Sequence, residues 1–398
     1  MGEKQLVVRA IYLDYNATTP IDPAAAQAML PILYGHYGNP SSSHEHGQAA
    51  KKVVEKARSQ VANLLGCPAE EILFTSGGTE SNNYALKGAA MAYRERGNHI
   101  ITSAVEHPAV IEVCKWLQKQ GFRITILPVD ANGMVQPQDL ANAIDDNTIL
   151  VSVMHANNEV GTIQPIRKLS DLAHKHGALF HCDAAQSVGK IPVRVDDLGV
   201  DLLSVAGHKV YAPIGIGALY IRNGVRLEKF IHGAGHERGL RAGTENILEM
   251  AGLGAACEEA WQNLDENMAH YRQTRDRLEA GLLRRLGSAL VRVNGHPEER
   301  LPNTSSISFF NIEANTLLDA IKERVSASAG AACHAGDVQV SAVLQAMKGP
   351  VNWAMGTIRF STGRRTSVEE IDLVADLVAR TVFELARKGL DASVHPTG

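Results

Sequence analysis

Three segments of this chain carry residue types suited to holding an anionic, ring-bearing ligand. The first, Phe74-Thr75-Ser76-Gly77-Gly78-Thr79-Glu80-Ser81, reads as a strand end, a glycine turn and a helix start. Free backbone N–H groups and the positive end of a helix dipole attract an anion there, Gly78 permits close approach, and Thr79 adds a hydroxyl donor. Gly-Gly-Thr suits an ordinary helix cap equally well. The second, Phe180-His181-Cys182-Asp183-Ala184-Ala185-Gln186-Ser187-Val188-Gly189-Lys190, sets an acid at the carboxyl end of an apolar strand, where open α/β sheets bind ligands. Asp183 is then either a helix N-cap or a carboxylate that keeps a pyridine nitrogen protonated. The third, Ser204-Val205-Ala206-Gly207-His208-Lys209-Val210-Tyr211-Ala212-Pro213, puts Lys209 after a buried strand and a small-residue turn. Most lysines are solvated surface charges, but desolvation in a cleft favours the neutral, nucleophilic amine that a Schiff-base lysine requires.

Phosphate cradle, ring-nitrogen acid and Schiff-base lysine, in this order, are what an enzyme of pyridoxal 5'-phosphate needs. The elements that must position them are visible in the hydrophobic pattern. From about Pro23 to Arg222, amphipathic stretches alternate with short apolar runs, the mark of βα units. Strands are expected at Glu71–Thr75, His99–Ser103, Arg123–Leu127, Ile149–Met154, Ala178–Cys182, Leu202–Val205 and Ala218–Ile221, with helices such as Gln48–Leu65, Thr79–Arg96 and Pro165–Lys175 between them. Nearly continuous apolar runs suit strands covered on both faces, so the fold class is α/β with a mainly parallel central sheet. A helical stretch over roughly Leu248–Leu286 bridges to strand-like segments at Ser305–Phe310 and Thr357–Ser361 and helices at Asn315–Arg324 and Val368–Arg387, which suit a smaller α+β domain. At 398 residues two domains are expected. The division places a large domain at 21–264 and a small one at 1–20 with 265–398.

A net charge of −4 gives no basic field for nucleic acid. No secretory stretch or bilayer-length apolar run is visible, so a cytoplasmic location without membrane partners is expected. Five scattered cysteines contain no Cys-x-x-Cys pair and suggest neither a metal site nor a disulfide framework. Four sit in apolar or helical settings, where a small buried hydrophobe is the ordinary reading.

The chain resembles the NifS/IscS-type cysteine desulfurases and the related selenocysteine lyases, within class V of the fold-type I pyridoxal-phosphate enzymes. The resemblance runs along nearly the whole chain, through Tyr12-Leu13-Asp14-Tyr15-Asn16-Ala17-Thr18-Thr19-Pro20, Gly38-Asn39-Pro40-Ser41-Ser42, the Thr75–Ser81 turn, Val105-Glu106-His107, Met154–Gly161, Asp183–Gly189, His208-Lys209, His236-Glu237-Arg238, Arg241-Ala242-Gly243-Thr244 and Ile358-Arg359-Phe360-Ser361. It implies that Lys209 forms the Schiff base, that His107 stacks on the cofactor ring and relays protons, and that Asp183 binds the pyridine nitrogen. Gln186 would reach the ring oxygen. Gly78, Thr79, His208 and, from the other subunit of a homodimer, Thr244 would hold the phosphate. Asn157 and Arg359 would position the substrate, Arg359 gripping its carboxylate.

The resemblance also gives Cys333 a task. It lies in Ala327-Ser328-Ala329-Gly330-Ala331-Ala332-Cys333-His334-Ala335-Gly336-Asp337, and so many small neighbours suggest a mobile loop. A thiolate there would take sulfur from L-cysteine as a persulfide, releasing L-alanine, and pass it to a sulfur-acceptor protein for iron–sulfur cluster assembly or another sulfur-transfer pathway. Three features depart from the desulfurase pattern. Ala206 stands where many relatives carry a serine, Ala234 interrupts a glycine run before His236, and Gly-Ala-Ala-Cys-His is closer to selenocysteine lyases. The alternatives are a lyase acting on L-selenocysteine and an aminotransferase of the same class.

Overall fold

The structure, a computed structural model, describes residues 10–35, 37–334 and 337–394, with backbone alone for 331–339 and 388–394. A short strand β1 (Ile11–Tyr12) precedes a seven-stranded sheet built from β2 (Ile72–Thr75), β3 (His99–Ser103), β4 (Arg123–Leu127), β5 (Thr148–Ser152), β6 (Leu179–Asp183), β7 (Leu202–Ala206) and β8 (Gly217–Ile221). Their order is β2-β8-β7-β6-β5-β3-β4. The pairs β3–β4, β3–β5, β5–β6 and β6–β7 are parallel, whereas β8 runs antiparallel to both β2 and β7. All residues of β2, β3, β5, β7 and β8 are buried, as expected of strands with helices on both faces. The edge strand β4 has an exposed Arg123 and Ile126. Helices Gly78–Ala92 and Pro108–Lys119 lie on the side of Leu73, Ile100 and Leu219, while Glu45–Leu65, Ile166–Lys175 and Ile247–Gln262 cover the side of Phe74, Ile101 and Ala218.

A second core forms around β9 (Val291–Asn294), β10 (Thr304–Phe309), β11 (Val325–Ser326), β12 (Ser328–Ala329) and β15 (Thr357–Ser361). The sheet order is β12-β15-β10-β9. Helices Leu264–Leu286 and Val368–Val394 bury Leu278, Leu282, Val374 and Val378 against it. The stretch read as one helical bridge is two helices, parted at Asn263. Strand β1 pairs with β11, so the N-terminal segment joins this second core. A separate hairpin, β13 (Ala331–His334) and β14 (Asp337–Val340), pairs Cys333 with Val338. The segment expected to be a loop is therefore extended and hydrogen-bonded; alanines, which have little bulk, mark a loop no more strongly than they mark a short strand. The side chain of Cys333 and residues Ala335 and Gly336 lie outside the described residues.

Candidate active site

A cavity of about 290 Å³ opens at the carboxyl ends of β6 and β7. Gly78, Thr79, His107, Asp183, Gln186, His208 and Lys209, all expected as site residues, line it. They come from chain positions more than a hundred residues apart, brought together because parallel strands all end on one side of the sheet.

The anion cradle is made by backbone geometry. Gly77 has φ of +148°, a conformation that residues bearing a Cβ rarely adopt. A Cβ on Gly217 of β8 would lie 2.7 Å from the Gly77 Cα, so strand and turn pass too close for any side chain there. Helix Gly78–Ala92 starts at this turn, its first N–H groups have no intrahelical partner, and Gly78 and Thr79 of that first turn line the cavity. Glu80 in its first turn accepts from Ser76 N at 2.7 Å and pairs with Arg241 Nε at 3.0 Å. Ala206 lines the cavity opposite, its Cβ 3.1 Å from where a Gly78 Cβ would be.

Asp183 ends β6 and is buried. Its Oδ1 accepts from Ala185 N at 2.9 Å and its Oδ2 from Asn82 Nδ2 at 2.7 Å. The first bond tightens the turn that follows β6; no helix starts there, so Asp183 is not a helix N-cap. Lys209 closes the 3₁₀ turn Gly207–Lys209 after β7. Its Nζ donates to the carbonyls of Asn16 at 2.6 Å and Ala17 at 3.4 Å. Desolvation foremost, then the charge of Arg359, lowers its pKa to about 8 against the opposing pull of Asp183 and Asp14. The turn is clamped from outside by Thr19, whose Oγ1 donates to the His208 carbonyl at 2.9 Å and accepts from Tyr211 N at 3.0 Å.

Two imidazoles border the cavity. His208 is driven to about 4, by desolvation first and then by Lys209 and Lys190, so it is neutral. Its Nδ1 lies 3.1 Å from Thr18 Oγ1; with Thr18 donating, the proton sits on Nε2. His107 caps helix Pro108–Lys119, its Nδ1 accepting from Ala109 N at 3.1 Å. Its pKa is lowered by desolvation against the pull of Asp183, with Lys209 pushing the same way.

Arg359 on β15 stands beside the cavity rather than in its lining. Its Nη2 is 2.7 Å from Asp14 Oδ1 and 3.1 Å from Ser328 Oγ, and its Nη1 is 3.1 Å from the Asn158 carbonyl. Its buried Nε has no hydrogen-bond partner among the described residues. Asn157 is fully buried and shapes a turn instead of lining the cavity. Its Oδ1 accepts from Glu159 N and Val160 N, and its Nδ2 donates to the Val105 carbonyl; its neighbours Ala156 and Asn158 line the wall. Thr244 is exposed and is not among the lining residues of its own chain.

Residue-type reasoning missed Asn82, Asn16 and Lys190. Asn82 and Lys190 look like ordinary helix-surface residues, and Asn16 sits in a segment noted only for its resemblance. Desolvation pushes the thiols of Cys67, Cys114 and Cys257 up to about 12 and raises that of Cys182 well above its ordinary value.

The donor set fits pyridoxal phosphate: a glycine-shaped cradle at a helix N-terminus, a buried carboxylate and a desolvated amine line one cavity. The fold and this site define a pyridoxal-phosphate enzyme of fold type I. The family model for class-V aminotransferases matches residues 11–374, and the chain belongs to that family. It is similar to proteins named cysteine desulfurase IscS from Dictyoglomus turgidum, 46% identical over 378 residues and 95% of each chain, and from Methanosarcina thermophila, 45% identical over 95% of this chain and 93% of the other. Among solved structures, a NifS-like protein aligns with a TM-score of 0.89 at 38% identity, covering 95% of this chain and 100% of that one. SspA in complex with cysteine aligns with a TM-score of 0.78 at 35% identity, covering 90% and 100%.

Proposed function

We propose that this chain is a cysteine desulfurase that converts L-cysteine to L-alanine and carries the sulfur on Cys333 as a persulfide. The observation that carries this reading is the meeting of a desolvated Lys209, Asp183 and the Gly77–Gly78 cradle in one cavity, with the Cys333 hairpin anchored nearby. Gly330, at the foot of that hairpin, donates to the Thr357 carbonyl at 2.7 Å. At the other foot, Val340 packs with Val105, Met154 and Val160, and Met154 is part of the cavity wall.

Bound pyridoxal phosphate supplies an electron sink for the pair left on the substrate's α-carbon once its proton has gone. The chain's own residues do the rest. Asp183 holds the proton of the ring nitrogen, Arg359 takes the substrate carboxylate, and Lys209 Nζ or His107 Nε2 moves the proton. Cys333, as thiolate, bonds to the substrate sulfur while the carbon–sulfur bond breaks and its electron pair returns to the carbon side, leaving alanine after protonation. The burial-raised pKa values of the other four thiols make them poor nucleophiles.

In this reading the division at residue 264 separates a large domain from a small one made of 1–20 and 265–398, Thr244 completes the phosphate site of a second subunit, and the persulfide passes to an acceptor protein in the cytoplasm. No helix among the described residues is long and apolar enough to cross a membrane.

Incubation with cysteine and, separately, selenocysteine, with alanine and Cys333-bound chalcogen measured, tests this directly. Alanine and a Cys333 persulfide from cysteine are expected. Turnover of selenocysteine alone would make the enzyme a selenocysteine lyase, and keto-acid product without alanine would make it an aminotransferase.

A further inference from the structure

Lys190 is 3% exposed, yet no carboxylate among the described residues accepts a hydrogen bond from it. Its Nζ donates to Gln186 Oε1 at 2.8 Å and to Asn16 Oδ1 at 2.9 Å. Burial, with the charges of Lys209 and Arg359 adding to it, pushes its pKa well down. Two of the hydrogens on Nζ go to the two amide oxygens.

The bond to Gln186 has a geometric consequence. A glutamine amide has two ends of nearly equal size, and only its neighbours decide which end faces where. Here Lys190 holds the oxygen end. The nitrogen end donates to the Asn16 carbonyl at 2.9 Å, and Gln186 lines the cavity, so its second amide hydrogen remains for a cavity ligand. Asn16 is itself fixed from four sides. Its Oδ1 also accepts from Asn303 at 3.0 Å, its Nδ2 donates to Thr304 Oγ1 at 2.8 Å and to the Asn158 carbonyl at 3.2 Å, and its N–H donates to Ser361 Oγ at 2.9 Å.

We propose that Lys190 is a positioning residue for the cofactor, locking the Gln186 amide with its NH₂ group toward the ring oxygen of pyridoxal phosphate. This rests on the cofactor reading given above. Without Lys190 only the Asn16 carbonyl still selects the nitrogen end, so the amide turns more readily to present its oxygen, and a donor to an anionic ring oxygen becomes a repelling acceptor.

The test uses the full chain, with two readouts besides turnover: the dissociation constant for pyridoxal phosphate and the pH midpoint of the bound cofactor's visible band. A donor on the ring oxygen draws off charge and eases loss of the proton shared with the Lys209 nitrogen, so losing that donor moves the midpoint upward. Lys190→Met is expected to weaken cofactor binding about tenfold, the size of one lost hydrogen bond, and to raise the midpoint. Gln186→Ala should do the same, and the double variant no more than either single one. Lys190→Gln, which keeps an amide donor in the hole, should return both readouts toward wild type, and it serves alone if the methionine variant does not fold. Additive effects of Lys190→Met and Gln186→Ala, or a Lys190→Gln variant as impaired as Gln186→Ala, would overturn the proposal. A wild-type protein that binds no pyridoxal phosphate would instead defeat the cofactor reading itself.

Discussion

Arg359 Nη2 and Asp14 Oδ1 stand 2.7 Å apart although 345 residues separate them in sequence. The guanidinium proposed to grip the substrate carboxylate thus already holds a carboxylate of its own, and substrate must compete with it. Arg359→Ala is expected to raise KM for cysteine by about 10- to 100-fold, the range of a charge-assisted bond of roughly 1.5–3 kcal/mol. Asp14→Asn removes the competing charge while leaving an acceptor for Nη2, so KM should fall severalfold. Steady-state kinetics decide it; a rise in KM for Asp14→Asn would mean that Asp14 aims the guanidinium and does not compete.

Cys333→Ser should abolish persulfide formation while leaving cofactor spectra and substrate-induced spectral change intact. Serine is nearly isosteric but its hydroxyl is a far weaker nucleophile toward sulfur than a thiolate. Mass spectrometry of the cysteine-treated variant is the check, and wild-type desulfuration by it would remove Cys333 from the mechanism.

The depressed pKa of Lys209 fixes a pH dependence. Its amine is protonated below about pH 8 and neutral above it, instead of near the ordinary 10.5. The rate at which apo-protein captures pyridoxal phosphate should climb to about pH 8 and level off beyond. The same shift bears on stability: between these two values the unfolded chain holds the extra proton, so the apo-protein gains stability as pH rises across that window. Stopped-flow absorbance and denaturant titrations read the two effects, and a capture rate still climbing at pH 10 would contradict the first.

Ala206→Ser should tighten cofactor retention. Ala206 lines the cavity facing the Gly78 turn, and a hydroxyl there adds a donor to an anionic group, worth about tenfold or more in affinity. Equilibrium dialysis against pyridoxal phosphate measures it; unchanged affinity would show that the phosphate does not reach Ala206.

Most of the sheet was legible in the sequence because fully buried strands announce themselves as unbroken apolar runs ended by turn residues. His99–Ser103 and Arg123–Leu127 match the observed strands, and the others shift by one or two residues. The site was legible where chemistry sits next to such a strand end, as for Asp183 and Lys209. It was not legible where a role depends on distant chain. Asn82 gains meaning only because Asp183 lies 2.7 Å away, and the backbone carbonyl of Asn16, which receives Lys209 and Gln186, leaves no trace in residue type. The hairpin around Cys333 escaped because its alanines are poor strand formers and carry no strand signal.

Asn16 has a further consequence, in the time order of assembly. Its partners lie 170 to 345 residues downstream, at Gln186, Lys190, Lys209, Thr304 and Ser361. At a synthesis rate of about 5–20 residues per second, Ser361 is made roughly 20–70 s after Asn16. Until then Asn16 lacks the acceptor for its own N–H, and the N-terminal segment waits for strands not yet made. A segment made early is thus fixed only by strands made much later, and the full set of contacts around Asn16 closes once Ser361 has been added.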